Sequence, residues 1–239
     1  EVAFIAVPPQ HSAPLVEKAL AYGLDVFAEK PVAQTAPEAT HICLLATRES
    51  RVLHVDYTYR FHWAIEKLSE EANGNNPISS FGLVIGDRHP IPDAHDVLWL
   101  WGPHLCAIFA DVFQPSGKSS RPGLEGATLH VSKRGSKIRL DLASATGIPA
   151  FLDYNLESVE KVRELVVMRT NDQEEINLLQ KPTSGQPSAL SKSIGVFSNR
   201  VLGRSFHGVD NDACDVACIE VTEILERAGD ILPRASRRP

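Results

Sequence analysis

The sequence lacks the short motifs that commonly mark nucleotide sites and hydrolase sites. Its 15 glycines form no G-x-G pair and no G-x-x-x-x-G-K-[ST] phosphate loop, so the glycine-rich dinucleotide fingerprint is missing. The serine-hydrolase elbow G-x-S-x-G and the zinc-protease motif H-E-x-x-H are also missing. Any catalytic chemistry in this chain must therefore come from residues that are distant in sequence.

Long apolar runs, excess positive charge and clustered cysteines are missing too. No stretch approaches the roughly 20 apolar residues that span a bilayer, and no secretory signal opens the chain. The net charge of -6 argues against a nucleic-acid binder, because phosphate binding needs a concentrated basic face. The 4 cysteines are irregularly spaced, which predicts neither a disulfide framework nor a metal site. We therefore expect a cytoplasmic protein that binds neither nucleic acid nor membrane.

What is present begins with short β-forming runs that alternate with helical patterns. The runs are "VAFIAV", "DVFA" and "RVLHVDY". Between them Ser12 is a candidate N-cap, Gly23 marks the end of the first helix, and Thr35 opens a capping box for a second helix that runs to about Arg48. Strands that alternate with helices predict a parallel sheet with crossover helices, the α/β class.

The pattern changes after a third predicted helix, from about Phe61 to Ala72. Strand-like runs now follow one another through turns, which predicts an antiparallel or mixed sheet. A helix from about Pro103 to Phe113 interrupts them, and an amphipathic helix from Asp210 to Ala228 closes the chain. The second part is therefore expected to be an α+β domain with a large, mostly antiparallel open sheet. Its predicted strands are "ISSFGLVIG", "GATLHVSK", "SKIRLDLAS" and "VRELVVMRT".

Lys30 stands in Glu29-Lys30-Pro31, at the predicted carboxyl end of a strand, where ligands gather in α/β sheets. Its ammonium could donate a hydrogen bond to a hydroxyl or carbonyl oxygen. The alternative is a surface lysine whose stem lies on apolar residues. Two other segments occupy such strand ends, Pro8-Pro9-Gln10-His11 and Tyr57-Thr58-Tyr59-Arg60.

His104 follows Gly102-Pro103 at the predicted start of a helix. An imidazole at a helix start tends to stay neutral, because the helix dipole disfavours a positive charge there. A neutral imidazole can accept a proton. The alternative is a half-buried structural histidine, since histidine is commonly intermediate in burial.

Together these segments resemble the family of glucose-fructose oxidoreductase, inositol dehydrogenase and MocA-like (Gfo/Idh/MocA) proteins. The similarity begins with "VAFIAVPPQHSAPLVEKALAYGLDVFAEKPVAQTAPEA", where a strand ends in a PP-x-x-H-like loop and the next strand ends in Glu-Lys-Pro. It continues through "YTYRFHWAIEKL", "DVLWLWGPHLCAIFADVF", "KVRELVVMRT" and "GVDNDACDVACIEVTEILERA". The combination of Glu-Lys-Pro with a downstream G-P-H is specific. The similarity as a whole covers nearly the entire chain in order.

The resemblance implies an oxidoreductase that uses NAD or NADP and acts on a hydroxyl of a sugar, polyol or sugar derivative, and that we expect to be inactive or impaired as the isolated chain. It implies that residues 1–60 are the C-terminal half of a Rossmann-like nucleotide-binding domain. Residues 61–239 would then form the domain for substrate binding and homo-oligomerisation through its sheet. The implied site residues are Lys30 and His104 for catalysis, Pro8, Pro9, His11, Glu29, Lys30 and Pro31 for the cofactor, and Arg60, Trp101 and His104 for the substrate.

Two departures from the family pattern keep a second hypothesis open. Leu100 stands where the family has an aspartate in D-x-G-x-H, and the glycine-rich first half of the nucleotide domain is expected to lie before residue 1. Without that turn a pyrophosphate has no helix N-terminus to bind. The alternative is therefore a non-catalytic relative that acts as a binding or oligomerisation module.

Overall fold

The computed structural model contains two β-sheets with helices packed against them. It describes residues 1–71, 77–87, 94–113, 124–131, 137–144, 148–155, 157–182, 185–203, 218–219 and 221–226. The first sheet is parallel with strand order β1-β2-β3, and the second is a six-stranded mixed sheet. This arrangement confirms the predicted fold class, while the division at residue 60 stays a prediction.

The parallel sheet is built from strands that are short and apolar. In register, Ala3 lies beside Val26 and Val26 lies beside Leu53. Every residue of β3 is buried, and so are the first four residues of β2, because helices cover both faces of a parallel sheet. The elements are β1 Val2–Ile5, α1 Pro9–Ala21, β2 Asp25–Glu29, α2 Ala36–Arg48 and β3 Leu53–Asp56.

Three of the four predicted helix boundaries here are confirmed, including the end of α2 at Arg48. Gly23 has a φ of 73° just after α1, and the Thr35 side chain accepts from the Glu38 N–H at the start of α2. The prediction of Ser12 as an N-cap is wrong. Helix α1 begins at Pro9. Proline is tolerated at this position because the N–H group that it lacks would have no partner within the first turn. Ser12 therefore lies inside the helix, where it is buried.

The six-stranded sheet has the order β5-β6-β7-β4-β8-β9. Within the described strands of this sheet only the pairing of β4 with β7 is parallel, so the expected mostly antiparallel sheet is confirmed. In β7 and β8 buried and half-exposed residues alternate, as in a sheet with one face on the core. The strands are β4 Ile78–Gly86, β5 Leu124–Val131, β6 Lys137–Ser144, β7 Pro149–Asn155, β8 Val162–Arg169 and β9 Gln173–Asn177.

Helix α4 spans Ala94–Phe113, so its predicted start at Pro103 is wrong. Pro103 lies inside the helix, where a proline normally costs several kcal/mol. The helix continues through it because its apolar residues on both sides, including Trp99 and Leu105, are buried. His104 consequently lies in the middle of α4 and not at a helix start, which removes the helix-dipole argument for its neutrality.

Three elements were not predicted: β7, β9 and α5, which spans Ala189–Val201. Helix α5 follows a stretch of sequence rich in proline, glycine and serine, and Ser188 caps it by accepting from the Ser191 N–H. A 3₁₀ turn, Thr58–Phe61, and helix α3, Trp63–Glu71, replace the single helix predicted there. Of the closing helix, residues 218–219 and 221–226 are helical, and the remainder lies outside the described residues.

Candidate active site

Lys30 follows directly after β2 and reaches helix α4. Its Nζ donates a hydrogen bond to the carbonyl oxygen of Leu100 at 2.6 Å and lies 5.8 Å from the ring centroid of Trp101. Because β2 and β3 are parallel, Glu29 and Asp56 are register partners at the same edge of the sheet. The sheet edge and α4 thus bring Lys30, two carboxylates and Trp101 together.

His104 lies beside this lysine on the same helix as Trp101. Its residue is 6% exposed, and its ring centroid is 4.6 Å from that of Tyr59 and 5.8 Å from that of Trp101. Gly102 lies between Trp101 and His104 and allows the helical segment of residues 221–226 to approach α4 closely. A Cβ at this position would lie 2.5 Å from a Leu225 methyl carbon. The packing of α4 therefore holds the His104 imidazole against the rings of Tyr59 and Trp101, and we call these three rings the aromatic wall.

Burial governs the protonation of the two central groups. It lowers the pKa of Lys30 to about 8, although the nearby carboxylates of Glu29 and Asp56 raise that pKa. Burial also lowers the pKa of His104 well below its ordinary value, and the positive charges of Lys30 and Arg163 lower it further. At neutral pH the site therefore contains a neutral imidazole close to a charged ammonium.

Two buried nitrogen atoms in the aromatic wall have no hydrogen-bond partner within the described part of the chain. They are Nδ1 of His104 and Nε1 of Trp101. An unsatisfied buried polar group costs about 1–3 kcal/mol, so such groups are rare and commonly serve a ligand. Nδ1 of His54 and Nε2 of His62 are two further buried nitrogens of this kind.

The predicted cofactor residues stand at the carboxyl ends of β1 and β2. Pro8 and Pro9 form the start of α1, His11 is exposed in its first turn, and Pro31 is buried beyond a cis Lys30–Pro31 bond. Parallel pairing places both strand ends at one edge of the sheet. Cofactor contact at this edge stays a prediction, and the sequence offers no glycine-rich turn for a pyrophosphate.

Arg60 lies in a different setting from the other predicted site residues. Its Nε and Nη2 donate to the two carboxylate oxygens of Asp111, at 2.6 and 2.5 Å. Asp111 is seven residues beyond His104, about two helical turns along α4. Substrate contact by Arg60 stays a prediction, and the contact given by the structure is this ion pair.

Behind the sheet edge lies a buried polar network that the sequence did not reveal. Ser193 of α5 donates to Asp56 at 2.7 Å and lies 2.9 Å from Nε2 of His54, while Thr58 donates to the other Asp56 oxygen. Because the one hydroxyl proton of Ser193 points to Asp56, His54 must donate from Nε2. Burial raises the pKa of Asp56 and lowers that of His54 to about 3. The network ties α5 to the end of β3.

Tyr59 and Arg163 are further site residues that sequence reasoning missed. Tyr59 was noted only as part of a strand-end segment. Arg163 shares the inward face of β8 with Leu165 and Val167, and an arginine at an inward position of an alternating strand was the available signal. Its guanidinium carbon lies 4.1 Å from the ring centroid of Trp101.

Other kinds of site find no support in the described part of the chain. It contains no group of three or more histidine, cysteine, aspartate or glutamate residues placed to hold a metal ion. None of its helices is long and apolar enough to cross a membrane.

Comparison with known proteins bears on this arrangement. The model of the Gfo/Idh/MocA family, described as an oxidoreductase family with an NAD-binding Rossmann fold, matches residues 1–57. No curated protein sequence matches the chain.

Three solved structures resemble the whole chain. GnnA, a UDP-N-acetylglucosamine 3-dehydrogenase from Acidithiobacillus ferrooxidans, is 17% identical with a TM-score of 0.72, over 95% of this chain and 77% of that chain. KijD10, a 3-ketoreductase from Actinomadura kijaniata in complex with TDP-benzene and NADP, is 17% identical with a TM-score of 0.69, over 95% and 76%. A Gfo/Idh/MocA family oxidoreductase from Vibrio cholerae is 14% identical with a TM-score of 0.66, over 96% and 77%. At these identities the likeness shows a shared fold, and the match to the family model covers residues 1–57.

Proposed function

We propose that this protein oxidises or reduces a sugar, polyol or sugar derivative with NAD or NADP, using Lys30 and His104 as the catalytic pair. The observation that carries the proposal is the meeting of these two residues at one edge of the parallel sheet. They are 74 positions apart in sequence, yet Lys30 bonds the turn of α4 that precedes His104.

The chemistry of the pair suits a hydroxyl group. In the oxidation direction the neutral His104 imidazole takes the hydroxyl proton, while the Lys30 ammonium donates a hydrogen bond to the same oxygen and stabilises its developing negative charge. Trp101 and Tyr59 exclude water from one side and orient the substrate carbon. In the reduction direction the same residues return the proton to the carbonyl oxygen.

The nicotinamide cofactor supplies the other half of the reaction, accepting the hydride from the substrate carbon or returning it. Pro8, Pro9, His11, Glu29 and Pro31 would hold it beside Lys30. Glu29 stands next to the catalytic lysine, and burial raises its pKa, so its protonation affects the charge at the nicotinamide end.

Cofactor binding and turnover provide the test. Titration with NADH and NADPH, followed by nicotinamide fluorescence, measures affinity, and assays with hexoses, inositols and nucleotide sugars measure turnover. We expect Lys30→Ala and His104→Ala each to lower kcat by about 10²–10⁴-fold, since each removes a group that moves or stabilises a proton. Cofactor affinity should change much less than turnover.

Lys67→Ala is the matched control, because Lys67 is an exposed lysine whose contact is an ion pair with Glu71 on α3. An active protein whose turnover survives Lys30→Ala would remove Lys30 from the mechanism. Saturable dinucleotide binding without turnover of any tested sugar would favour the non-catalytic binding or oligomerisation module, for which Leu100 in place of the family aspartate is the specific observation.

The proposal includes a cytoplasmic location and a homo-oligomer formed through the six-stranded sheet. Light scattering of the purified protein measures its assembly state directly. A monomer at micromolar concentration would contradict the proposed oligomer without affecting the proposed reaction.

A further inference from the structure

Arg163 is a buried charge that the proposed reaction does not use. It is 3% exposed on β8, yet it touches elements from both parts of the fold. Its Nη1 donates to the carbonyl oxygens of Gly86 and Val162, both at 2.6 Å, and its Nη2 donates to the Asp87 carboxylate at 2.6 Å. The end of β4 therefore holds the guanidinium in a fixed plane.

The face of this guanidinium is directed at the active site. Its central carbon lies 4.1 Å from the ring centroid of Trp101, within the range of a cation–π contact. Burial raises the pKa of the Tyr59 hydroxyl, the positive charge of Arg163 lowers it against that larger effect, and the Tyr59 ring packs on His104. One side chain thus influences both aromatic residues that enclose the imidazole.

The hydrogen bonds decide which role Arg163 can fill. An arginine has five N–H groups, and three of them are committed to Gly86, Val162 and Asp87. The side chain is nearly inaccessible to solvent, which leaves little of it to meet a substrate. It is built as a support for its neighbours.

We propose that Arg163 is the positioning residue of the Lys30–His104 site, holding Trp101 and Tyr59 in place around the imidazole. The expected effect on catalysis rests on the proposed function. The expected effect on the placement of the two aromatic rings does not. The anchor lies in the six-stranded sheet and the catalytic lysine in the parallel sheet, so Arg163 fixes the position of α4 between them.

Electrostatics supports the same role. The charged and titratable groups that face His104 are Lys30 from β2, Arg163 from β8 and Tyr59 from the 3₁₀ turn, and the two cations lower the pKa of His104. Removal of the Arg163 charge should therefore move the acidic limb of the pH profile of kcat/KM to higher pH. A role in packing alone would leave that limb in place.

Two substitutions separate geometry from charge. Arg163→Lys keeps the charge and loses the planar fork, whereas Arg163→Met loses both. We expect kcat/KM to fall about tenfold in the first and about a hundredfold in the second, with the pH shift confined to the second, because small displacements of catalytic groups are costly.

A readout that does not require activity uses tryptophan. In a Trp63→Phe background the remaining residues, Trp99 and Trp101, are 7% and 9% exposed, so acrylamide quenching reports on buried rings. Both Arg163 variants should increase quenching, because Trp101 loses its stacked cation. Arg163→Lys decides the question if Arg163→Met does not fold.

Arg139 supplies the matched control on β6. Its guanidinium carbon lies 4.2 Å from the Phe151 ring centroid and its nitrogens pair with Asp141 and Asp153, but it contacts no residue of the proposed pair. Arg139→Lys and Arg139→Met should leave quenching and the pH profile unchanged. The proposal is overturned if the Arg163 variants match these controls in quenching, whether or not the protein shows hydride-transfer activity; inactivity of the unsubstituted protein counts against the proposed function alone.

Discussion

The two sheets of this protein place their polar groups by different rules. In the parallel sheet consecutive residues of β2 and β3 are buried, so the charged groups Glu29, Lys30 and Asp56 gather where the strands end. In β7 and β8 of the six-stranded sheet burial alternates, and the half-buried face of β8 carries Glu164 among apolar residues. Arg163 is the exception on the buried face. The comparison teaches that polar groups of the parallel sheet lie at strand ends, whereas Arg163 places a charge within a strand against the local burial pattern.

The largest test of this comparison substitutes adjacent residues in each sheet. In β2, Val26→Ala should cost about 2 kcal/mol and Phe27→Ala about 3–5 kcal/mol, because both side chains are buried. In β8, Val167→Ala should cost about 2 kcal/mol, but half-buried Val166→Ala less than about 1 kcal/mol. Urea unfolding measures all four. Equal losses at Val166 and Val167 would break the comparison.

A second prediction concerns pH and the buried end of the parallel sheet. His54 has its pKa lowered to about 3 when folded, from the ordinary 6.5. Between those values the unfolded chain binds the proton and the folded chain does not, so stability is full above pH 6.5 and falls as the pH drops toward 3. One such group contributes a slope of up to about 1.4 kcal/mol per pH unit.

His54→Phe should flatten the slope of unfolding free energy between pH 6.5 and pH 4, measured by urea denaturation at several pH values. His104 and His62 also have lowered pKa values and will retain part of the slope. Identical slopes for the two proteins would show that His54 titrates alike in both states.

The smallest expected effect restores a carboxylate to the site. Leu100→Asp places an acid on the residue whose carbonyl already accepts from Lys30, and Leu100 is 41% exposed, so the side chain has room. The new charge should raise the pKa of Lys30 by about one unit from its value of about 8. The pH dependence of Lys30 acetylation, followed by mass spectrometry, measures the shift. Leu44→Asp, an exposed position on α2, is the control, and an equal shift there would indicate a general charge effect.

Local patterns predicted the elements whose ends carry strong signals. Gly23 and Thr35 work in the structure as their residue types suggest, and the strand that ends at Glu29 was found from its apolar run. Helix α5 was missed because the helix signals in "ALSKSIGVFSNRV" are individually weak. The helix is stabilised by packing of Phe197 on Phe27 and by the hydrogen bonds of the buried Ser193. The predicted start of α4 was wrong because the rule that proline ends a helix considers only the neighbouring backbone. Burial of this helix, which keeps it continuous through Pro103, depends on contacts with residues distant in sequence.

The sequence by itself determined the class of this protein. Alternating strands and helices predict a parallel sheet, and Glu29-Lys30-Pro31 ends one of its strands. Only the tertiary structure decided which distant groups share the site. It joined Lys30 to the Leu100 carbonyl, packed Tyr59 on His104 and set Arg163 against Trp101. Such contacts depend on how helices and sheets pack across tens of residues, and local periodicity carries no information about that packing.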